Sequence, residues 1–260
     1  MSLDLSFVCG NEAVRRRNNL ECIYPIEDGM IRNWDAVNKM WRCNFEDLLG
    51  NYMTLENVSS KKILVTEPAL NSKSNRQKLA QAIFEEFNFG ALNVSMQAVL
   101  VLYAQGLMTG LVVECGEGVT QIVPVYEGFV SQYLMKRHVI TGKEITKLLR
   151  SLLQQRGYNS RSVVDIETLR SIKERYCFVS CNKQLEHKLT RETTCFCQNY
   201  KLPDGTTIKI DEESYQATEA YFDPALAGYE SKGISDVIFD TIQEADIDCR
   251  MDYYQHIILS

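Results

Sequence analysis

The stretch from residue 99 to residue 128, VLVLYAQGLMTGLVVECGEGVTQIVPVYEG, constrains the fold more than any other part of this 260-residue chain. Residues 96–104 are apolar enough for a buried helix, Gly106 is placed to end it, and residues 111–113 make a short apolar strand. That strand stops at Gly116-Glu117-Gly118, and a second strand follows. Glycines on both sides of an acidic residue let the backbone turn through positive φ and bring amide N–H groups close to an anion. Carboxylates at Glu114 and Glu117 have the reach to hold a hydrated divalent cation. The same two glycines also describe an ordinary hairpin, and the turn taken alone does not separate that reading from a phosphate loop.

Helical and strand signals alternate along the rest of the chain. Residues 62–67 read as a strand ended by Pro68, and Leu79, Ile83, Phe84 and Phe87 form one helical stripe across residues 71–87. Ile145, Leu148, Leu149, Leu152 and Leu153 repeat the stripe, with Gly157 as the stop. Ile166, Leu169, Ile172 and Tyr176 predict an amphipathic helix within 165–180, whose polar face carries Arg170, Lys173 and Glu174. Strands at 194–202 and 206–210 flank the turn Pro203-Asp204-Gly205, and a last helix at 234–244 leads into a strand at 256–259. Hairpins mixed with helical crossovers make this an α/β chain.

Composition excludes more than it assigns. A net charge of −6 argues against a generic nucleic-acid binder, which presents a basic face. No apolar run approaches bilayer length and the first residues, MSLDLSFVCG, lack the pattern of a leader, so an intracellular setting without membrane insertion is expected. Nine cysteines form no paired CxxC framework and read as reduced, partly core-packed thiols. His138, His187 and His256 are too scattered for a metal or catalytic group. Thr193 and Thr194 follow Lys188 and Arg191, so a phosphate there would find cations, although paired threonines are also ordinary strand formers.

The opening stretch resembles the second phosphate loop of the actin family. A buried helix carrying a glutamine (Gln97), an LYA-x-G-x-x-TG link (102–110), a glycine-acidic-glycine hairpin (116–118) and P-x-YEG (124–128) occur in that order. Further motifs follow at consistent positions: GNEA (10–13), YPIEDGMIRNWDAVNKMW (24–41), LVTEPALNSKSNRQK (64–78), TGKEIT (141–146), IKERYCFV (172–179), LPDG (202–205) and ADIDCRMDYYQHIILS (245–260). The resemblance implies the actin-like, ribonuclease-H-like duplicated ATPase fold, with ATP or ADP and Mg2+ in a cleft between two halves. On that mapping residues 1–24 end a small outer lobe, 25–104 form most of the first half, and 105–260 form the second, with its outer lobe at about 141–229.

The details IRNWD, LYAQGLMTG, LLQQRGY and TIQEADID look less like conventional actin than like an actin-related subunit of the complex that starts filament branches. This implies a cytoplasmic, cytoskeletal protein. Its implied partners are a second actin-related protein, the other complex subunits, actin and nucleation-promoting factors. A self-polymerising actin is the alternative, opposed by those variants and by the insertion-like segment 46–59. A nucleotide-free scaffold is a third reading. A sugar or acetate kinase shares the fold but needs a catalytic aspartate beside an acceptor pocket, for which the chain shows no motif.

Residue by residue, the resemblance assigns Gly116, Glu117, Gly118 and Val119 to phosphate, and Gly142, Arg170, Lys173 and Glu174 to ribose and adenine. Gln97 and, with less support, Gln121 fall where the attacking water is positioned, and a neutral amide can orient water without acting as a strong base. Glu114 and Glu117 replace aspartates near the metal, which they would meet through water. Cys115 replaces serine, and Gln121 replaces a histidine, so any ATPase activity is expected to be slow. The family's first phosphate loop precedes the residues matched by 7–13, and a glycine pair follows the serine matched by Ser260. The resemblance therefore implies an incomplete fold, shortened at both ends, with reduced ATP affinity.

Overall fold

The computed structural model describes residues 7–50, 58–159 and 165–260, and divides the chain into two compact units. The first comprises residues 1–110 and 125–135, the second 111–124 and 136–260. The centre of the insertion-like segment lies outside the described residues.

The first unit opens with helix α1 (Gly10–Arg16) and a hairpin of β1 (Ile26–Glu27) and β2 (Met30–Ile31). Asp28 and Gly29 both take positive φ, at 51° and 73°, and so supply the two-residue turn whose twist matches paired strands. Helix α2 (Trp34–Leu49) starts at Asn33, whose side chain accepts the Ala36 N–H at 3.1 Å. Strand β3 (Lys62–Glu67) runs parallel to β4 (Ala91–Met96), joined through α3 (Lys73–Gln81), which Ser72 caps. A π-helical turn, Ala82–Glu86, extends α3, and the Phe87 N–H reaches back to the Ala82 carbonyl at 3.1 Å.

Leu79, Ile83, Phe87, Phe89 and Val58 form this unit's core, against which Trp34, Trp41 and Phe45 of α2 pack. The Phe45 ring meets Phe87 and Phe89 edge-on at 5.3 and 5.5 Å. Phe84, expected in the same stripe, is instead 45% exposed: Ile83 and Phe87 hold the inward positions of the widened turn. Glu67 is buried at the end of β3 and bonded by Arg76 and Asn71, which compensates its charge.

Helix α4 (Gln97–Ala104) follows β4 directly and buries Ala98 and Leu102. It ends as the sequence predicts. Gly106 takes φ 73° and donates to the Tyr103 carbonyl, while the Leu107 N–H bonds the Leu102 carbonyl at 2.9 Å. Strands β5 (Gly110–Cys115) and β6 (Thr120–Tyr126) come next. The last two residues of β6 pair with β7 (Phe129–Val130) in the first unit, around Glu127 and Gly128, again both at positive φ.

In the second unit β5 has β11 (Ile257–Leu259) parallel on one side and β6 on the other, and β8 (Lys136–His138) pairs antiparallel with β6. Helices α5 (Gly142–Gln155), α6 (Ile166–Tyr176) and α7 (Lys183–Glu192) precede a hairpin of β9 (Gln198–Lys201) and β10 (Thr207–Ile210), followed by the short α8 (Glu213–Gln216). Ile140, Ile145, Leu149, Leu153, Leu169, Ile172, Ile208 and Ile210 form one buried cluster across these elements. Gly157 ends α5 at φ 100°, with its N–H on the Gln154 carbonyl and the Tyr158 N–H on Leu153.

Two expectations need correction here. The strand expected from residue 194 begins at Gln198, because residues 194–197 form a turn closed by the Cys197 N–H on the Thr194 carbonyl at 3.2 Å. Helix α9 (Ile234–Glu244) is not the last: α10 (Ile247–Gln255) lies between it and β11. That helix buries only Tyr253, so it carries little of the apolar periodicity by which helices are read. His138 has a packing role, with Nδ1 accepting the Ile140 N–H and Nε2 donating to the Lys232 carbonyl at 3.1 Å. Thr193 Oγ1 donates to the Leu189 carbonyl at the end of α7. Among the described residues no helix is long and apolar enough to cross a membrane.

Candidate functional site

The turn between β5 and β6 is the centre of the site. β5 is buried from Gly110 to Glu114 and β6 from Thr120 to Val125, so both strands are anchored in a sheet while the four residues between them reach the surface. The Gly116 N–H bonds the Val119 carbonyl at 2.8 Å and closes the turn. Neither Gly116 nor Gly118 takes positive φ, contrary to expectation. A Cβ at Gly116 would lie 3.0 Å from the Val119 carbonyl oxygen, a tight contact that favours glycine there.

Two further backbone bonds strap the turn to the start of α5. The Gly142 N–H donates to the Gly116 carbonyl at 3.0 Å, and the Lys143 N–H donates to the Glu117 carbonyl at 2.9 Å. The N–H groups of Glu117, Gly118 and Val119 meet no acceptor among the described residues. Successive unpaired N–H groups in a turn form an anion-binding concavity. Gly142 also has to be small, since a Cβ there would fall 2.6 Å from Glu117 Oε2 and 3.0 Å from Glu117 Cα.

Beyond the turn, the predicted site residues separate into four sets. Lys173, on α6, donates to Glu117 Oε2 at 2.6 Å and to the Gly142 carbonyl at 2.9 Å, which brings Lys173, Glu117 and Gly142 together. Arg170 and Glu174 face each other along α6 at 3.4 Å, and Arg170 also approaches Glu167 at 3.9 Å. Gln97 stands exposed at the first position of α4, in the first unit. The Lys143 strap was not read from the sequence, because its backbone N–H carries no side-chain signature.

Glu114 and Gln121 form a buried pair across the two strands, with the Gln121 amide donating to Glu114 Oε2. Burial pushes the Glu114 carboxyl above its ordinary range, and the amide bond only partly offsets this. Both glutamates expected near a metal therefore have protein partners here, Gln121 for Glu114 and Lys173 for Glu117. Among the described residues no group of three or more His, Cys, Asp or Glu side chains is arranged for a metal ion.

The raised Glu114 value has a measurable consequence. Because the folded carboxyl holds its proton to higher pH than the unfolded one, this group lowers stability as pH rises through the folded value. Glu114→Gln, which keeps the shape and the acceptor oxygen, is expected to raise the urea midpoint at neutral pH. The gap should close as pH falls below the ordinary carboxylate range, where wild-type Glu114 is protonated too. Paired urea titrations across pH check both the sign and the window.

This α/β chain, with its strapped hairpin between two buried strands, belongs to the actin family: the sequence profile of Actin matches residues 2–260. Within the family it is similar to the proteins named Actin-related protein 2. It is 44% identical to that of Saccharomyces cerevisiae (strain ATCC 204508 / S288c) over 251 residues and 44% identical to that of Acanthamoeba castellanii over 253. The Actin-related protein 2 of Schizosaccharomyces pombe (strain 972 / ATCC 24843) is 45% identical over 251 residues. Each match covers 96% of this chain and 63% of the relative, so the chain spans a little under two thirds of these relatives' length.

Proposed function

We propose that this protein is an ATP-binding actin-related subunit of a complex that starts branched actin filaments, working beside a second actin-related protein in the cytoplasmic actin cytoskeleton. The observation that carries the nucleotide part is the turn at 116–119, where three N–H groups have no acceptor among the described residues. That donor set fits a phosphate chain, as clustered backbone amides in a turn bind anionic oxygens. Similarity to Actin-related protein 2 supports the assembly part.

In this reading Gly116, Glu117, Gly118 and Val119 present backbone N–H groups to phosphate. Gly142, Arg170, Lys173 and Glu174 flank the ribose and adenine. Mg2+, when bound with ATP, neutralises phosphate charge, and Glu114 and Glu117 would approach it through water. Gln97 and Gln121 orient water and offer no strong base, so turnover is slow and the nucleotide acts by favouring one conformation over another. A nucleotide-free scaffold is the second reading, favoured by one observation: Glu114 and Glu117 are already engaged by Gln121 and Lys173.

The test is isolation of the protein from its own cells, with mass spectrometry of what accompanies it and titration with a fluorescent ATP analogue in Mg2+. Co-purification with a second actin-related protein and smaller subunits, together with saturable binding, is the expected result. Saturable binding failing at millimolar analogue would leave the scaffold reading. Self-assembly of the isolated protein into sedimenting filaments would overturn the complex-subunit reading.

A further inference from the structure

Two free cysteines of the first unit meet although they stand far apart in the chain. The Cys9 and Cys43 thiols are in hydrogen-bonding contact, and both residues are half-buried, within reach of a small solute. Cys9 lies just ahead of α1 on extended backbone, at φ −123° and ψ 165°, and Cys43 lies on α2. The contact belongs to a longer seam. Lys39, one turn before Cys43 on α2, stands over the Phe7 ring with Nζ 5.7 Å from its centroid, and Phe7 lies two residues before Cys9. A spacing of two in extended chain, like a spacing of four in a helix, keeps side chains on one side, so residues 7 and 9 follow the helix face that carries 39 and 43.

Helix α1 itself does little to hold this segment in place. It buries no residue, no side chain caps its start, and its Glu12–Arg16 ion pair joins two largely exposed side chains, an arrangement that adds little stability. A covalent link at the seam supplies the anchor that α1 lacks.

We propose that Cys9 and Cys43 are a redox-modification site, at which hydrogen peroxide forms a disulfide that fastens the start of α1 to α2. One sulfur, as thiolate, attacks the O–O bond and becomes a sulfenic acid, while the departing hydroxide takes up a proton as water. The second sulfur then attacks the sulfenic sulfur and forms the S–S bond, and a second hydroxide leaves as water. Two thiols thus give up two electrons and two protons, and one peroxide becomes two waters.

Burial, the Cys43 contact and the nearby carboxylates of Asp47 and Glu12 push the Cys9 thiol up to about 11, and Lys39, the cation on this face, is directed at Phe7. Cys9 has to lose its proton in one of the two steps, so the bridge forms slowly at neutral pH and faster as pH rises. Contact between the thiols offsets part of this, because the second step joins groups already held together.

The experiment uses the protein from its own cells, treated with hydrogen peroxide at several pH values, blocked with N-ethylmaleimide and digested without reduction. A peptide pair linked through Cys9 and Cys43 is expected in the mass spectrum, in yield that grows with pH and is abolished by dithiothreitol. Hydrogen exchange of the α1 amides is expected to slow about tenfold in the oxidised protein, and not in peroxide-treated Cys43→Ser. Cys43→Ala serves if the serine form does not fold.

Separate oxidation of the two cysteines to sulfinic acids without a linked pair overturns the proposal. So does a mixture in which Cys9 is joined as often to other cysteines as to Cys43. A bridge that forms while α1 exchange stays unchanged overturns the fastening of α1 to α2.

Discussion

Leu149→Ala is expected to cost the second unit about 3–5 kcal/mol. Leu149 lies on the inward face of α5 with no exposed surface, between Ile145 and Leu153 one turn away on either side. Across from it the same cluster takes Leu169 and Ile172 from α6 and Ile208 and Ile210 from the hairpin. A methyl group in place of isobutyl loses the transfer energy of the removed atoms and leaves a void that three separate elements would have to move to fill. Ile166→Ala makes the matching control: Ile166 begins α6 but is 54% exposed, and its loss should change stability by about 0.5 kcal/mol or less. Since the chain has two units, hydrogen exchange of the α5 amides is the proper readout, because a single bulk transition need not report one of them.

Glu213→Ala should be nearly as damaging, at about 2–3 kcal/mol. Glu213 is buried and accepts Arg156 Nη1 at 2.9 Å on each carboxylate oxygen, and its Oε2 also takes the Asp211 N–H at 2.9 Å. It ties the C-terminal end of α5, where Arg156 is the cap residue, to the corner between β10 and α8. Removing it leaves the half-buried guanidinium with only the more distant Asp211 carboxylate at 3.7 Å, and a backbone N–H without its acceptor. The Arg156 side chain is 36% exposed, so water recovers part of the loss, and the estimate lies below the value for a fully buried pair. Arg156→Ala/Glu213→Ala together should cost less than the sum of the single changes. A double-mutant cycle giving strict additivity would refute the pairing as the source of the effect.

These sites show where reading the sequence succeeds. The buried helix ending at Gly106, the strand 62–67 and the helix 234–244 were all legible, because each has its apolar period and its stop signal within a short window. So was the Leu202–Thr206 connection, whose Pro-Asp-Gly announces a turn. The Asp28-Gly29 hairpin carried an equally plain signal and was passed over, since strands of two residues offer no period to read. Helix α10 was missed for the opposite reason: its faces are too mixed to form a stripe.

The site was legible only as a set of candidates. Gly116, Glu117 and Gly118 stand together in the chain, so their membership in one turn follows from adjacency. Which conformation those glycines adopt did not follow: neither takes positive φ, and what favours glycine at 116 is the close approach of the Val119 carbonyl. Arg170, Lys173 and Glu174 share a helix face by spacing, yet only Lys173 reaches Glu117, while the other two pair with each other.

What the sequence determined by itself was therefore local and periodic: the α/β class, the positions of the most regularly patterned helices and strands, the hairpin between two apolar strands, and the family to which those motifs in that order belong. What only the tertiary structure decided were the pairings between distant positions. Lys173 meets Glu117 across 56 residues, and Arg156 meets Glu213 across 57. The physical reason is that a charge advertises its type in sequence but not its partner. Partners are selected by which helix ends and strand turns the buried apolar clusters bring within hydrogen-bonding distance, and that selection is made by packing of the whole unit.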